Sequence, residues 1–161
     1  MTLPTTAAET WLSDIFNAVE SDISACGWFD RVGMHEPKNA PGHGLSCAVW
    51  LQDLRTVRSS GLAASSALVT FQVRIYTSMV QEPQDAIDPA VFMAISNLTR
   101  TWHDNYDLGL HPLVRNVDLL GQEGTPLSAR AGYVEQSGTL YRVGTIVLPI
   151  ICNDIWPQGS I

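Results

Sequence analysis

Leu12, Ile15, Phe16, Val19 and Ile23 recur at helical spacing, with Asp14, Asn17 and Asp22 off the stripe. That pattern predicts an amphipathic first helix. Thr6 and Glu9 read as its capping box, and Gly27 ends it. A second helical stripe, Ile87, Val91, Ile95, Leu98 and Trp102, goes with an Asp88 N-cap and Pro89 at the first helical position. It runs to about residue 104, and Gly109 and Pro112 prevent its continuation.

Between the helices the period changes to two. "WFDRVGMHEP" (28–37), "LSCAVWLQDLRTVR" (45–58) and "ALVTFQVRIYTSM" (67–79) read as strands. In the third, Val69, Phe71, Val73 and Ile75 form an apolar side, while Leu68, Thr70, Gln72, Arg74 and Tyr76 form a more polar one. In the second, Cys47, Val49, Leu51 and Asp53 alternate imperfectly with Ala48, Trp50, Gln52 and Leu54, which implies partial cover on both faces. "KNAPGHG" (38–44) is a Pro/Gly loop, and "SSGLAASS" (59–66) reads as a flexible one.

After the second helix come "LVRNVDLLG" (113–121), "LSARAGYVEQ" (127–136) and "TLYRVGTIVLPIICNDIW" (139–156), the last two joined by a tight Ser137-Gly138 turn. The final strand is apolar on both sides from Ile146 to Ile151, which places it centrally, and Pro149 predicts a bulge or bend there. The order is α, three strands, α, three strands, without βαβ alternation. The expected fold is α+β: a mostly antiparallel or mixed β-sheet with the two main helices packed on one face. Residues 1–161 form one domain in this reading, with a short C-terminal tail from about residue 154.

Composition narrows the function. There are 16 acidic against 9 basic residues and a net charge of −7, and Lys38 is the one lysine. Such a chain lacks the basic footprint of a DNA-gripping protein. Its acidity suits a solvated face, or a wall past which DNA slides without sticking. Cys26, Cys47 and Cys152 are widely spaced among apolar residues and read as buried reduced thiols. No secretory signal or membrane-length apolar run is found, since the longest such run is "IVLPII" (146–151). The expectation is a soluble protein made in the cytoplasm.

The most chemical stretch is "WHDNYDLGLHP" (102–112). His35, His43, His103 and His111 form no metal-binding spacing, and Asp104 with Asp107 at a helix exit is what turns and helix ends favour. No GxSxG motif occurs, and no glycine-rich loop matches a phosphate or dinucleotide site. No catalytic residue, metal ligand set or cofactor is therefore assigned, and a non-enzyme is expected. Arg74, Arg115, Arg130 and Arg142 all fall within strands, where arginines pair across a sheet or across a subunit contact. Trp28, Trp50, Trp102 and Trp156 sit at element ends; Trp156, on the tail, either folds back or packs on a neighbour.

The order of segments resembles the tail-terminator proteins of long-tailed, siphovirus-like bacteriophages. The resemblance spans roughly residues 5 to 156. It is carried by "GWFDRVGMHEPKNAPGHGLSCAVWLQDL", by "SSGLAASSALVTFQVRIYTSM" before "DAIDPAVFMAISNLTRTW", and by "YDLGLHPLVRNVDLLGQEGTPLSARAGY" before "GTLYRVGTIVLPIICNDIW". It implies a structural virion protein at the head-proximal end of the tail, assembled in the host cytoplasm. It further implies a homo-oligomeric, six-fold ring that stops tube polymerisation and contacts the major tail tube protein and a head completion or stopper protein. DNA would pass through its lumen without specific binding. On this reading Arg74, Arg115, Asp118 and Trp156 are candidates for the subunit interface, with Asp118 a partner for a neighbour's arginine. Glu82, Asp85 and Glu123 are candidates to face the channel.

Two alternatives stand beside it. One is another head–tail connector or stopper, or a tail-tube-like subunit. The other is a small α+β enzyme with a pocket around His103, Asp104 and Asp107.

Overall fold

In the computed structural model, residues 7–36, 44–59, 61, 63–78 and 87–157 are described. The elements are α1 (Ala7–Ala25), β1 (Arg31–Gly33), β2 (Leu45–Val57), β3 (Ala64–Ser78), α2 (Ile87–Asp104), β4 (Val114–Val117), β5 (Ser128–Gln136) and β6 (Thr139–Pro157). They form one six-stranded sheet in the order β1-β2-β3-β6-β4, with β5 also paired to β6. Only β1 runs parallel to its neighbour. The architecture is the α+β fold that the two periodicities imply.

β3 and β6 form the centre of the sheet. Val69, Phe71, Val73 and Ile75 point to the same face as Ile146, Leu148, Ile150 and Cys152. Trp11, Ile15, Val19 and Ile23 of α1 and Ala94, Leu98 and Trp102 of α2 join them in one buried cluster, so both helices cover this face. Each such large side chain contributes about 1.5–3 kcal/mol by leaving water. Phe16 stacks on Phe71 with ring centroids 5.4 Å apart. Gly144 lets α2 sit directly on β6: a Cβ there would run into Ile95 Cδ1, 2.8 Å from Ile95 Cγ1 and 3.1 Å from Val91 Cγ1.

Two irregularities explain what the alternation leaves ambiguous. The β2–β3 register shifts between Leu51 and Asp53, so Gln52 is an extra residue. Beyond it, Leu54 stands opposite Val69 and joins the helix-covered face, while Asp53 stands opposite Thr70 on the other. A bulge that reverses parity is why no single alternation fits this strand. The second shift lies between Ser65 and Ala67, which face Trp156 and Cys152, so residues 153–155 bulge opposite Ser66.

The bend expected at Pro149 is not where β6 departs from regularity, because Thr70 and Pro149 pair in register. On its other side β6 passes from β5, which pairs as far as Val147, to β4, which begins at Ile150. Pro149 falls in that gap, where its missing N–H leaves no ladder bond unmade.

The helix-free face is less polar than alternation suggests. Ala48, Tyr76, Tyr141 and Val143 form a second small cluster there, with Tyr76 and Tyr141 edge-to-face. Leu68, Thr70 and Ile151 are also buried. The chain between β4 and β5 crosses the end of this face that holds Leu68 and Thr70. Asp118 N–H donates to the Pro149 carbonyl of β6 (2.9 Å), and Arg55 of β2 donates to the Glu123 carbonyl. The loop thus reaches from β6 towards β2 against β3. Both carboxylate oxygens of Asp118 hold it, accepting from the N–H groups of Gln122 (2.8 Å) and Glu123 (2.9 Å). This is also why the strand expected over 113–121 stops at Val117.

"SSGLAASS", read as a flexible loop, already enters β3 at Ala64, and Ser66 is fully buried. Among the described residues no helix is long and apolar enough to cross a membrane.

Candidate interaction surface

The 102–112 stretch is a clasp at the exit of α2. Trp102 is buried in the core. Asn105 donates through Nδ2 to both carboxyl oxygens of Asp22 on α1 (3.1 and 3.3 Å), and its Oδ1 accepts from Gly109 N–H (2.7 Å). One side chain therefore ties α1 to the turn after α2. Burial pushes the Asp22 carboxyl above its ordinary range, with Asn105 and the Trp102 indole pulling part of the way back. The indole Nε1 lies buried without completing a hydrogen bond.

The remaining polar residues of the stretch are spent locally. Asp107 Oδ1 accepts from Leu110 N–H (3.2 Å), and His111 Nδ1 accepts from Leu113 N–H (3.2 Å). His103 Nδ1 donates to the Thr99 carbonyl (2.9 Å), and Asp104 meets Arg100 at 3.7 Å in open solvent. Leu108, Gly109 and Leu110 are all left-handed, with φ of 51°, 72° and 60°. That turn leaves Leu110 83% exposed. Among the described residues no group of three or more His, Cys, Asp or Glu side chains is placed to hold a metal ion.

Each strand arginine named from the sequence has a distinct setting. Arg115 donates through Nε to Asn153 Oδ1 (2.6 Å) and through Nη2 to the Arg58 carbonyl and Ser66 Oγ (both 3.3 Å). Ser59 Oγ and Asp154 N–H also meet Ser66 Oγ, so the bulge at 153–155 is closed by a polar knot. Arg74 donates to Thr145 Oγ1 (3.3 Å) and lies over the Trp50 ring. Arg142 joins three elements. It pairs with Asp88 of α2 (2.9 Å), donates to the Gly132 carbonyl of β5 (3.1 Å), and lies over the rings of Phe92 and Tyr133. Asp88, read as the N-cap of α2, is instead its second residue, and Pro89, read as its first, is its third.

The acidic and tail candidates scatter. Asp118 is 1% exposed, its carboxylate used within its own loop. Trp156 packs edge-to-face on Trp11, with centroids 5.8 Å apart, so this part of the tail folds back on its own domain. Glu123 lies at the tip of the 118–127 loop, half-buried. Glu82, Asp85, Lys38, His43, Thr6 and Ile161 lie outside the described residues.

The helix-free face carries an ordered row: Ala48, Arg74, Thr145 and Arg130 stand side by side across β2, β3, β6 and β5. At the β4 end, Tyr106, Arg115, Val117, Asp118, Leu119, Leu120 and neighbours line an open cleft of about 340 Å³. Leu120 is 85% exposed at its rim. Cys47 and Cys152 are buried, and burial pushes both thiols up, Cys152 to about 12. Cys26, half-buried, donates to the Ile23 carbonyl.

The two outer edges of the sheet are the feature that periodicity could not reveal. Among the described residues, β1 pairs with β2 only at Ser46–Ala48, which leaves β2 from Val49 to Val57 paired on one side alone. At the opposite edge, the 9 residues of β5 pair with β6 alone. Their side chains, from Ser128 to Ala131, are exposed. Long exposed edges invite pairing with another chain.

No protein-family model matches this sequence, and no curated protein matches it. Among solved structures, a chain from the virion of a native gene transfer agent particle is similar at 12% identity and a TM-score of 0.43. The likeness covers 86% of this chain and 95% of that one. A chain from the sheath/tube terminator of an extracellular contractile injection system, in its extended state, is similar at 12% identity and a TM-score of 0.36. It covers all of this chain and 63% of that one. At these values neither likeness carries a role over to this chain.

Proposed function

We propose that this chain is a structural virion protein of a long-tailed phage, capping the head-proximal end of the tail tube as a ring with a central DNA channel. The order of segments along residues 5–156 resembles tail terminators. The observation that carries the ring is the sheet itself, bounded by two unlike edges that have no further strand among the described residues, β2 from Val49 and β5. Unlike edges on opposite sides of one subunit suit a heterologous, head-to-tail contact, which closes into a ring when the rotation permits. Asn105, Asp107, Asp118 and Arg142 are used in turns, a loop and a clamp within the chain, which suits work done by surfaces.

In this reading the partners are further copies of the chain, six per ring, the tail tube protein on one side and a head completion protein on the other. Arg74 and Arg115 contribute to the subunit contact, Asp118 and Trp156 support it from within the chain by fixing the 118–127 loop and the end of β6, and Glu82, Asp85 and Glu123 face the channel. The net charge of −7 per chain gives a lumen that does not trap DNA.

The test is to add the purified protein to polymerising tail-tube protein. A terminator gives short tubes, capped at one end, at amounts far below one per tube subunit. Long tubes with this chain incorporated throughout would instead identify a tube-like subunit.

A further inference from the structure

We infer that adjacent copies join through β5 of one and β2 of the next, extending the sheet across the subunit boundary, with Asp53 of one copy against Arg130 of its neighbour. This rests on the ring reading and specifies its contact.

The strand directions fit. β2 is antiparallel to β3, β3 to β6, and β6 to β5, so the two edge strands run in opposite senses. Copies related by rotation about a common axis keep those senses. β5 of one therefore meets β2 of the next antiparallel, and both copies keep their helices on the same side.

The faces and charges fit as well. Asp53 stands opposite Thr70, and Arg130 opposite Thr145, which places both on the helix-free face. Both are exposed, and neither has an ion-pair partner among the described residues. Set opposite each other, with the Gln52 bulge carried through the joint, they bring Trp50 opposite Gly132, Leu51 opposite Ala131 and Leu54 opposite Ala129. Large side chains on β2 meet small ones on β5 at three positions, and the face of every pair agrees. Charges on an edge guard it against random pairing; here their signs are complementary across one specific register.

The test places Asp53→Cys in one tagged copy and Arg130→Cys in a second of different mass, both in a Cys26→Ser background. The mixture is assembled and treated with a short bismaleimide. A covalent heterodimer is expected in the mixture, and none with either variant alone. In parallel, Asp53→Arg and Arg130→Asp should each raise the protein concentration at half-assembly by about tenfold, and the double reversal should recover most of that loss. Rings that assemble normally with either reversal, without a heterodimer in the cross-linked mixture, overturn the edge contact and leave the terminator reading standing. A wild-type chain that stays monomeric at every concentration, alone and on tail-tube protein, removes both.

Discussion

Gly144→Ala is the sharpest test of how the helix layer meets the sheet. The added methyl would run into Ile95 Cδ1 and stand 2.8 Å from Ile95 Cγ1 and 3.1 Å from Val91 Cγ1. Both neighbours are β-branched and stiff at χ1, so neither swings away freely. Ile95 and Val91 lie on the inner side of α2, whose other contacts include the buried Leu98 and Trp102. Relief therefore requires α2 to lift from β6, and overpacking of this kind costs about 1–3 kcal/mol.

Ile95→Val removes the Cδ1 atom that clashes most and should by itself cost about 0.5–1.5 kcal/mol. The two together should cost less than their sum, with a coupling of about 0.5 kcal/mol or more, because the smaller side chain makes room for the methyl. Urea unfolding followed by tryptophan fluorescence measures all three variants against wild type, with slopes compared to confirm a common unfolded state. Strict additivity, or a Gly144→Ala variant as stable as wild type, would show that α2 does not sit on β6 as described.

Other substitutions separate structural carboxylates from incidental ones. Asp118→Asn replaces an acceptor of two backbone N–H groups by one that opposes one of them. It should cost about 2 kcal/mol, lowering Tm by about 4–8 °C, and hydrogen exchange in the 118–127 loop should rise. Asp104→Asn with Asp107→Asn should shift stability by less than about 1 kcal/mol, since the Asp104 pair is exposed and Asn can still accept at the Asp107 turn; a larger loss in thermal melts would refute that reading. Asp22→Asn keeps an acceptor for Asn105 and removes a buried charge. Because the folded carboxyl is raised, wild type is penalised above the ordinary 3.8, so the variant should equal or exceed it at pH 7, with the difference vanishing below that value. Native Cys26 should react with a thiol reagent before Cys47 and Cys152. The stability tied to the raised Cys152 thiol should be intact below its ordinary 9.0 and lost as pH rises towards about 12, visible as alkaline unfolding.

Local periodicity made most of the fold legible. The stripes Leu12–Ile23 and Ile87–Trp102 became α1 and α2, and the alternation in β3 gave its buried face directly. Most of the misses turn on contacts outside the strand or helix concerned. A bulge at Gln52 exists only relative to β3, and the end of β4 at Val117 follows from Asp118 bonding residues ahead of it. Asn105 reaches Asp22 across 83 residues of chain, and Arg142 reaches Asp88 across 54, which no spacing rule signals. Ser66, polar among small residues, reads as loop until Arg115, Ser59 and Asp154 are brought around it. Of the candidate site residues, the sequence identified the strand arginines as a group but not the partners that distinguish them.

The division of the sheet into two faces separates residues that hold the fold from residues left at the surface. On the helix-covered face, Phe71, Val73, Ile146 and Leu148 are fully buried, so substitutions there are felt first as lost stability. On the other face and along the edges, Trp50 is half-buried under Arg74, and Asp53, Arg130 and Ala131 are exposed. A change at those positions that leaves the unfolding midpoint unmoved yet alters association acts on the contact between copies. The buried Asp118 and the arginine knot at Ser66 shape the loop and bulge that flank the sheet, and the half-buried Arg74 and Thr145 lead in one row to the exposed Arg130 at the β5 edge. The polar residues that fix the fold and those left exposed are largely different residues, so stability and surface chemistry can be changed separately.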